Sequence, residues 1–146
     1  MRVLFDTNIF ISYLLKSDKD KIITTIIEAG FESKYKLLLP HNVINELNQK
    51  LTGKKYLSSR ISKADAQELL EVLTEVADVI PEITELIPKV TRDKKDDFLL
   101  ACAVVGEADY LVSGDKDLQV IKNVQGVKIV SPIEFSEILK ELESAL

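Results

Sequence analysis

Apolar residues along this chain follow two alternating patterns. Short apolar runs that predict strands occur at "RVLF", "KLLLP", "DVI", "YLV" and "GVKIV". Between them lie longer segments with helical spacing, such as "NVINELNQKL", where Val43, Ile44, Leu47 and Leu51 share one face. Short strands that alternate with helices predict an α/β fold with a mostly parallel central sheet covered by helices on both faces.

Start and stop signals predict where these elements begin and end. Helices are expected over residues 8–15, 19–29, 62–77 and 96–108, and a final helix behind Ser131 and Pro132. Gly30 is expected to terminate the second helix. The helix "DDFLLACAVVGEA" is apolar nearly all round, which predicts burial on more than one side. The segment from Pro81 to Pro88 is expected to be a loop.

Length and composition narrow the class of protein. A chain of 146 residues fits one domain, which can bury roughly two thirds of its unfolded surface. No apolar stretch is long enough to span a membrane, and the amino terminus has no signal-peptide pattern. Cys102 is the one cysteine, so an internal disulfide is excluded. We therefore expect a single cytoplasmic domain.

The charge pattern does not by itself indicate a nucleic-acid-binding protein. The formal net charge is −5, whereas such proteins are usually basic. Basic residues nevertheless cluster at Lys54 with Lys55, and at Lys89, Arg92, Lys94 and Lys95. A solvated surface explains either cluster, and contact with a phosphate backbone is the alternative.

Acidic residues stand where the predicted strands end. Asp6 follows the first strand and Asp115 follows "YLVSG", so both are expected at the carboxyl edge of the sheet, where open α/β folds bind ligands. Glu46 falls at the margin of the buried face of its helix and can lean toward the same edge. Asp96 and Asp97 begin the buried helix that precedes the "YLV" strand.

Two explanations of these acids remain open from the residues alone. Singly, each acid can cap a helix or complement the helix dipole. Together, carboxylates crowded at one edge repel one another and raise some of their pKa values unless a cation neutralises them. An all-oxygen site suits Mg²⁺ or Mn²⁺, which join carboxylates to substrate phosphates.

The segments that carry these acids resemble the four signature segments of the PIN domain, in the same order. They are "VLFDTNIFIS", "HNVINEL", "RDKKDDFLLACA" and "ADYLVSGDKDL". The resemblance covers nearly the whole chain, from Val3 to the final helix. The last segment is the most specific and resembles the branch of VapC-like toxins of toxin–antitoxin pairs.

The resemblance implies a PIN-like, Rossmann-like three-layer sandwich and a metal-dependent endoribonuclease. Asp6, Glu46, one acid of the Asp96 and Asp97 pair, and Asp115 match the family's catalytic, metal-binding carboxylates. The implied cofactor is Mg²⁺ or Mn²⁺, and the implied products carry a 5′-phosphate and a 3′-hydroxyl. Either Asp96 or Asp97 fits the alignment, and the two lie about 100° apart on a helix, so we expect only one to point fully into the site.

For other polar residues near the motifs, the sequence gives weaker support for a role in the site. Asn8 either positions Asp6 or a metal-bound water, or caps a helix. Ser113 stands where the family often has Thr, and the serine keeps the hydroxyl group. Haloacid-dehalogenase-like phosphatases need a second Asp at the position of Asn8, so this sequence does not match that class of enzyme. His41 is expected to have a structural or surface role, and Cys102 to be a core residue.

The resemblance also implies partners. Beside an RNA substrate, similar toxins commonly form homodimers and bind a small antitoxin protein. The segments "IITTIIEA" and "AQELLEVLTEV" carry more apolar surface than a small sheet can cover, so Ile23 and Ile27 are expected at a dimer contact, with ordinary core packing as the alternative. The alternative function is a PIN-like module that binds RNA or protein without nuclease activity.

Overall fold

The computed structural model describes residues 1–15, 21–53, 55–81, 83 and 93–145. Within these ranges the strands are β1 Arg2–Phe5, β2 Lys36–Pro40, β3 Asp78–Ile80, β4 Tyr110–Val112, β5 Asn123–Val124 and β6 Val127–Val130. The helices are α1 Thr7–Leu15, α2 Lys21–Phe31, α3 His41–Gly53, α4 Lys55–Arg60, α5 Lys63–Val76, α6 Lys94–Val105, α7 Lys116–Gln119 and α8 Pro132–Ser144. Strands and helices alternate as the sequence pattern predicts.

The described strands form one mostly parallel sheet in the order β3-β2-β1-β4-β6-β5. Strand β1 lies in the middle, parallel to β2 on one side and to β4 on the other. Among the described strands, the short edge strand β5 runs antiparallel to its neighbour. Phe5, Val112 and Val130 are in register, so the carboxyl ends of β1, β4 and β6 lie side by side.

Helices cover both faces of the sheet and give it three layers. Phe5 packs edge-on against Phe135 of α8, with ring centroids 5.9 Å apart. Leu4, the preceding residue of β1, points to the opposite face together with its register partner Leu38. Leu38 approaches Gly106 at the end of α6, where an added Cβ would lie 3.4 Å from its side chain. The predicted α/β, PIN-like architecture is therefore confirmed.

Two local predictions were wrong. Gly30 does not terminate α2, which continues to Phe31. The left-handed conformation that follows the helix is taken by Ser33, with φ of 61°, and Gly30 instead gives room to the ring of Tyr35. Strand β5 was not expected, since two residues are too few to show a periodic pattern. A turn at Gly126, with φ of 88°, joins β5 to β6.

The apolar face assigned to a dimer contact belongs to the core. Ile23 is 9% exposed and Ile27 is 1% exposed, and both pack in the central hydrophobic cluster. Leu69 and Leu73 of α5 are likewise buried. The expectation that Ile23 and Ile27 contact a second copy was therefore wrong, and charges there would disrupt folding. The homodimer itself remains a prediction.

Some predicted features lie outside the described residues. They are most of the loop from Pro81 to Pro88, and the basic residues Lys54, Lys89 and Arg92. In the part of the chain that the structure describes, no helix has the length and apolar character needed to cross a bilayer.

The close packing of Gly30 against Tyr35 predicts the effect of Gly30→Ala. The Tyr35 hydroxyl donates to the backbone oxygen of Ile26 at 2.5 Å, and its ring packs against Phe135, so it cannot easily move. An added Cβ would lie 2.7 Å from that hydroxyl. We expect Gly30→Ala to lower the free energy of unfolding by about 1–2 kcal/mol, because overpacking outweighs the gain in helix propensity.

Urea unfolding of Gly30→Ala measures this loss. Gly53→Ala at the end of α3 is the matched control, since an added Cβ there meets no atom within 4 Å. We expect the control to be neutral or slightly stabilising. A Gly30→Ala protein as stable as the wild type would contradict the packing argument.

Candidate functional site

A cleft of about 490 Å³ opens at the carboxyl edge of the sheet. Among the described residues, five acids line it: Asp6, Glu46, Asp93, Asp96 and Asp115. They come from the ends of β1 and β4, the second turn of α3 and the start of α6. The fold thus brings carboxylates from four distant segments to one edge, where parallel strands place ligand sites.

Asp6 is fixed where β1 gives way to α1. Its backbone N–H continues the sheet by donating to the carbonyl of Val112 at 3.0 Å. Its carboxylate accepts the Ser113 hydroxyl at 2.9 Å and the Asn8 backbone N–H at 3.4 Å. Burial raises the pKa of Asp6, and these two hydrogen bonds act against that rise. The carboxylate is therefore held in a partly buried position.

Ser113 connects Asp6 to the segment that carries Asp115. The side chain is completely buried, and its hydroxyl oxygen accepts the Asp115 backbone N–H at 3.0 Å. The Gln119 side chain donates to the Ser113 carbonyl at 2.7 Å. Asp115 also caps α7 by accepting the Asp117 backbone N–H at 2.9 Å. Asp115 therefore acts as a helix cap and lines the cleft at the same time.

Glu46 is held by two residues that the sequence reasoning missed. The Thr7 hydroxyl donates to Glu46 Oε2 at 3.0 Å, and Thr7 is 1% exposed. The Lys50 ammonium lies 3.1 Å from Glu46 Oε1 and donates to the Asn8 side-chain oxygen at 2.9 Å. The available signals were the position of Thr7 directly after Asp6 and the four-residue spacing of Glu46 and Lys50.

The two candidate acids of α6 have different surroundings. Asp96 lines the cleft, whereas Asp97 is 6% exposed and is not part of the cleft lining. Burial and then the negative charges of Asp115, Asp93 and Asp6 raise the pKa of Asp96 to about 7. Asp96 is therefore protonated over more of the acidic pH range than an ordinary aspartate.

Asp93 is a cleft acid that the sequence reasoning did not single out. It is the N-cap of α6 and accepts the Lys95 backbone N–H at 2.9 Å. Its place three residues before Asp96, at a predicted helix start, was the available signal. Asp93 adds to the negative charge around Asp96.

The structure gives His41 and Cys102 minor roles at this edge. His41 begins α3, and its ring nitrogen Nδ1 is 3.3 Å from the Asn45 amide nitrogen. Cys102 is 1% exposed, and burial raises the pKa of its thiol to about 11. A thiol with so high a pKa is a poor nucleophile.

The donor atoms of the cleft suit a hard cation. They are carboxylate and side-chain amide oxygens. Burial and then the neighbouring negative charges raise the pKa of Asp96, and a divalent ion would neutralise those charges. In the described ranges, no three or more His, Cys, Asp or Glu side chains are already gathered as a metal cage. The residues fit Mg²⁺ or Mn²⁺ by the chemistry of their donor atoms and not by a preformed cage.

The raised pKa of Asp96 predicts a pH-dependent difference between the wild type and Asp96→Asn in the presence of a chelator. A carboxyl group whose pKa is higher in the folded state than its usual 3.8 binds more protons when folded. Its contribution to stability therefore falls as the pH rises from about 4 to about 7. Because the amide introduced by the exchange does not titrate, the stability of Asp96→Asn relative to the wild type should increase over this range.

Urea unfolding of both proteins with EDTA, at several values between about pH 5 and about pH 8, measures the difference. Asp117→Asn, which alters an exposed acid close to the cleft, is the control and should show no such trend. A difference between Asp96→Asn and the wild type that does not change with pH would contradict the assigned pKa.

Comparison with known proteins agrees with the fold and with the family resemblance. Residues 2–117 match the family model described as the PIN domain. A chain of the crystal structure of VapBC2 from Rickettsia felis, bound to a DNA fragment from the promoter, has a similar fold, with a TM-score of 0.59 and 14% sequence identity. The match covers 90% of this chain and 98% of that chain. No curated protein matches the sequence. Since the family model spans most of its length, the chain belongs to the PIN domain family.

Proposed function

We propose that this protein is a metal-dependent endoribonuclease and the toxin of a type II toxin–antitoxin pair. PIN domains are typically metal-dependent nucleases. The observation that carries the proposal is the meeting of Asp6, Glu46, Asp96 and Asp115 in one cleft at the carboxyl edge of the sheet. A net charge of −5 no longer weighs against nucleic-acid binding if these acids hold cations.

The proposed ligands of Mg²⁺ or Mn²⁺ are Asp6, Glu46, Asp96 and Asp115. Asp96 is preferred to Asp97 because Asp96 lines the cleft and Asp97 does not. When bound, the metal supplies Lewis-acid polarisation of the phosphodiester and a lowered pKa for the attacking water. Hydrolysis of RNA in this way would leave a 5′-phosphate and a 3′-hydroxyl.

The chain's own contribution is to hold carboxylate oxygens close together against their repulsion. The Ser113 hydroxyl fixes one oxygen of Asp6, and the Thr7 hydroxyl fixes one oxygen of Glu46. Both hydroxyl-bearing side chains are buried, so they have little freedom to move. Ligands fixed in advance in this way bind a cation with little cost of ordering.

Substrate contact would fall to basic and aromatic residues of the cleft. Lys50 and Lys95 line it together with the half-buried ring of Phe98. The ammonium of Lys94 lies 5.9 Å from the centre of the Phe98 ring. Ammonium groups bind phosphates in a salt-dependent way, and an aromatic ring stacks on unpaired bases. This arrangement supports single-stranded RNA as the substrate.

The alternative is a PIN module that binds RNA or protein without cleaving it. Absence of an acid from the cleft would have favoured this alternative, yet every acid that the family resemblance requires is present. The proposal is therefore tested by cleavage first and by binding second.

Asp6→Asn is the variant that tests the nuclease. The exchange keeps the size of the side chain and removes one charge from the proposed metal site, so we expect cleavage of mixed RNA to fall at least about a hundredfold. Gel analysis of RNA incubated with purified protein, with Mg²⁺, with Mn²⁺ and with EDTA, measures the rates. In EDTA the variant should melt at or above the wild-type temperature, because carboxylate repulsion is relieved.

Asp117→Asn is the matched control and should cleave within about twofold of the wild-type rate, since Asp117 is exposed and does not line the cleft. Asp6→Asn cleaving as fast as the wild type would exclude Asp6 as a ligand. A wild-type protein that stays inactive with either metal, while binding RNA, would favour the binding-only alternative.

A small antitoxin is the proposed protein partner. The support is the similarity in fold to a chain of VapBC2 and the toxin-like segment "ADYLVSGDKDL". If a short reading frame adjoins this gene, co-expression of its product should abolish RNA cleavage and restore growth of the host. Unchanged toxicity with that product bound, or no association in a pull-down, would contradict the assignment as a toxin.

A further inference from the structure

Lys50 lies among the acids of the cleft rather than at the surface. Its side chain is 19% exposed and that of its partner Glu46 is 25% exposed. A surface pair such as Lys34 and Glu143 has 45% and 54% exposure. The ammonium also binds Asn8, so two elements, α1 and α3, hold it in place. This partly desolvated pair is screened less by water than an ordinary surface ion pair.

Each carboxylate oxygen of Glu46 has a partner on this chain. The Thr7 hydroxyl occupies Oε2 and the Lys50 ammonium occupies Oε1. Thr7 is buried at the start of α1 and has a short side chain, so its hydroxyl has little room to withdraw. Lys50 has a long flexible stem that can swing away. Lys50 is therefore the partner of Glu46 that another cation can displace.

We propose that Lys50 is a tethered cation that competes with the divalent metal for Glu46 and so sets the metal affinity of the cleft. This inference rests on the proposed function, in which Glu46 is a metal ligand. Lys50 is thus a positioning residue: it holds Glu46 while the metal is absent and withdraws when the metal binds. The remaining positive charge near the site lowers metal affinity through repulsion.

The competition can be distinguished from a general effect of charge. Lys50→Gln removes the charge and can still hydrogen-bond, whereas Lys50→Arg keeps the charge. Lys128→Gln removes one exposed lysine of β6, and Lys128 does not line the cleft. Lys50→Met keeps an apolar stem without charge and replaces Lys50→Gln if that variant does not fold by circular dichroism.

Titration of the full-length protein with Mn²⁺ in a calorimeter tests the inference without RNA. We expect Lys50→Gln to bind Mn²⁺ at least about fivefold more tightly than the wild type. Lys50→Arg and Lys128→Gln should remain within about twofold of the wild type. In EDTA, Lys50→Gln should melt below the wild type, because the acids lose their counter-charge, and Mn²⁺ should raise its melting temperature by more.

The outcomes separate this inference from the proposed function. If the wild type binds Mn²⁺ and Lys50→Gln binds it equally or more weakly, the proposed competition is wrong, but the proposed metal site is retained. If neither the wild type nor any variant binds Mn²⁺, both the competition and the proposed metal site are wrong. Binding by Lys50→Gln alone supports the competition in its strongest form.

Discussion

Mutual repulsion among carboxylates at one edge of the sheet is the constraint on which this site depends. Five acids line a single cleft in the described part of the chain. The structure offsets their repulsion in three ways: hydroxyl donors on Asp6 and Glu46, the Lys50 ammonium, and a proton retained by Asp96, whose pKa is raised to about 7. The repulsion that these groups leave is what a divalent cation at the proposed site would neutralise.

The parallel sheet makes this crowding possible. Strands β1, β4 and β6 end in register, so the residue that follows each of them emerges at the same edge. The core below the cleft is built from buried side chains of β1, β2 and β4, which keep those strand ends rigid. A rigid scaffold is required because loosely held carboxylates would simply move apart in water.

Predictions from the sequence succeeded where one local pattern decides the structure. Ser62 and Ser131 cap α5 and α8 as expected, since a side-chain oxygen at a helix start satisfies backbone N–H groups within a few residues. Gly30 and Ile23 were misassigned because their surroundings are made by residues outside their own helix. Gly30 accommodates Tyr35 across a turn, and Ile23 packs into a core that periodicity cannot distinguish from a partner surface.

The sequence by itself determined the alternation of strands and helices, the family resemblance, and the placement of Asp6, Glu46 and Asp115 at one edge. The spacing of apolar residues, the residues typical of turns, and the rule that parallel strands place ligand sites at their carboxyl ends are sufficient for these predictions. Tertiary structure alone decided that Asp96 lines the cleft and Asp97 does not, and that Asp93, Thr7 and Lys50 complete the surroundings of the acids. The physical reason is that orientation about a helix and contacts across elements depend on how α1, α3 and α6 pack, which spacing along the chain does not specify.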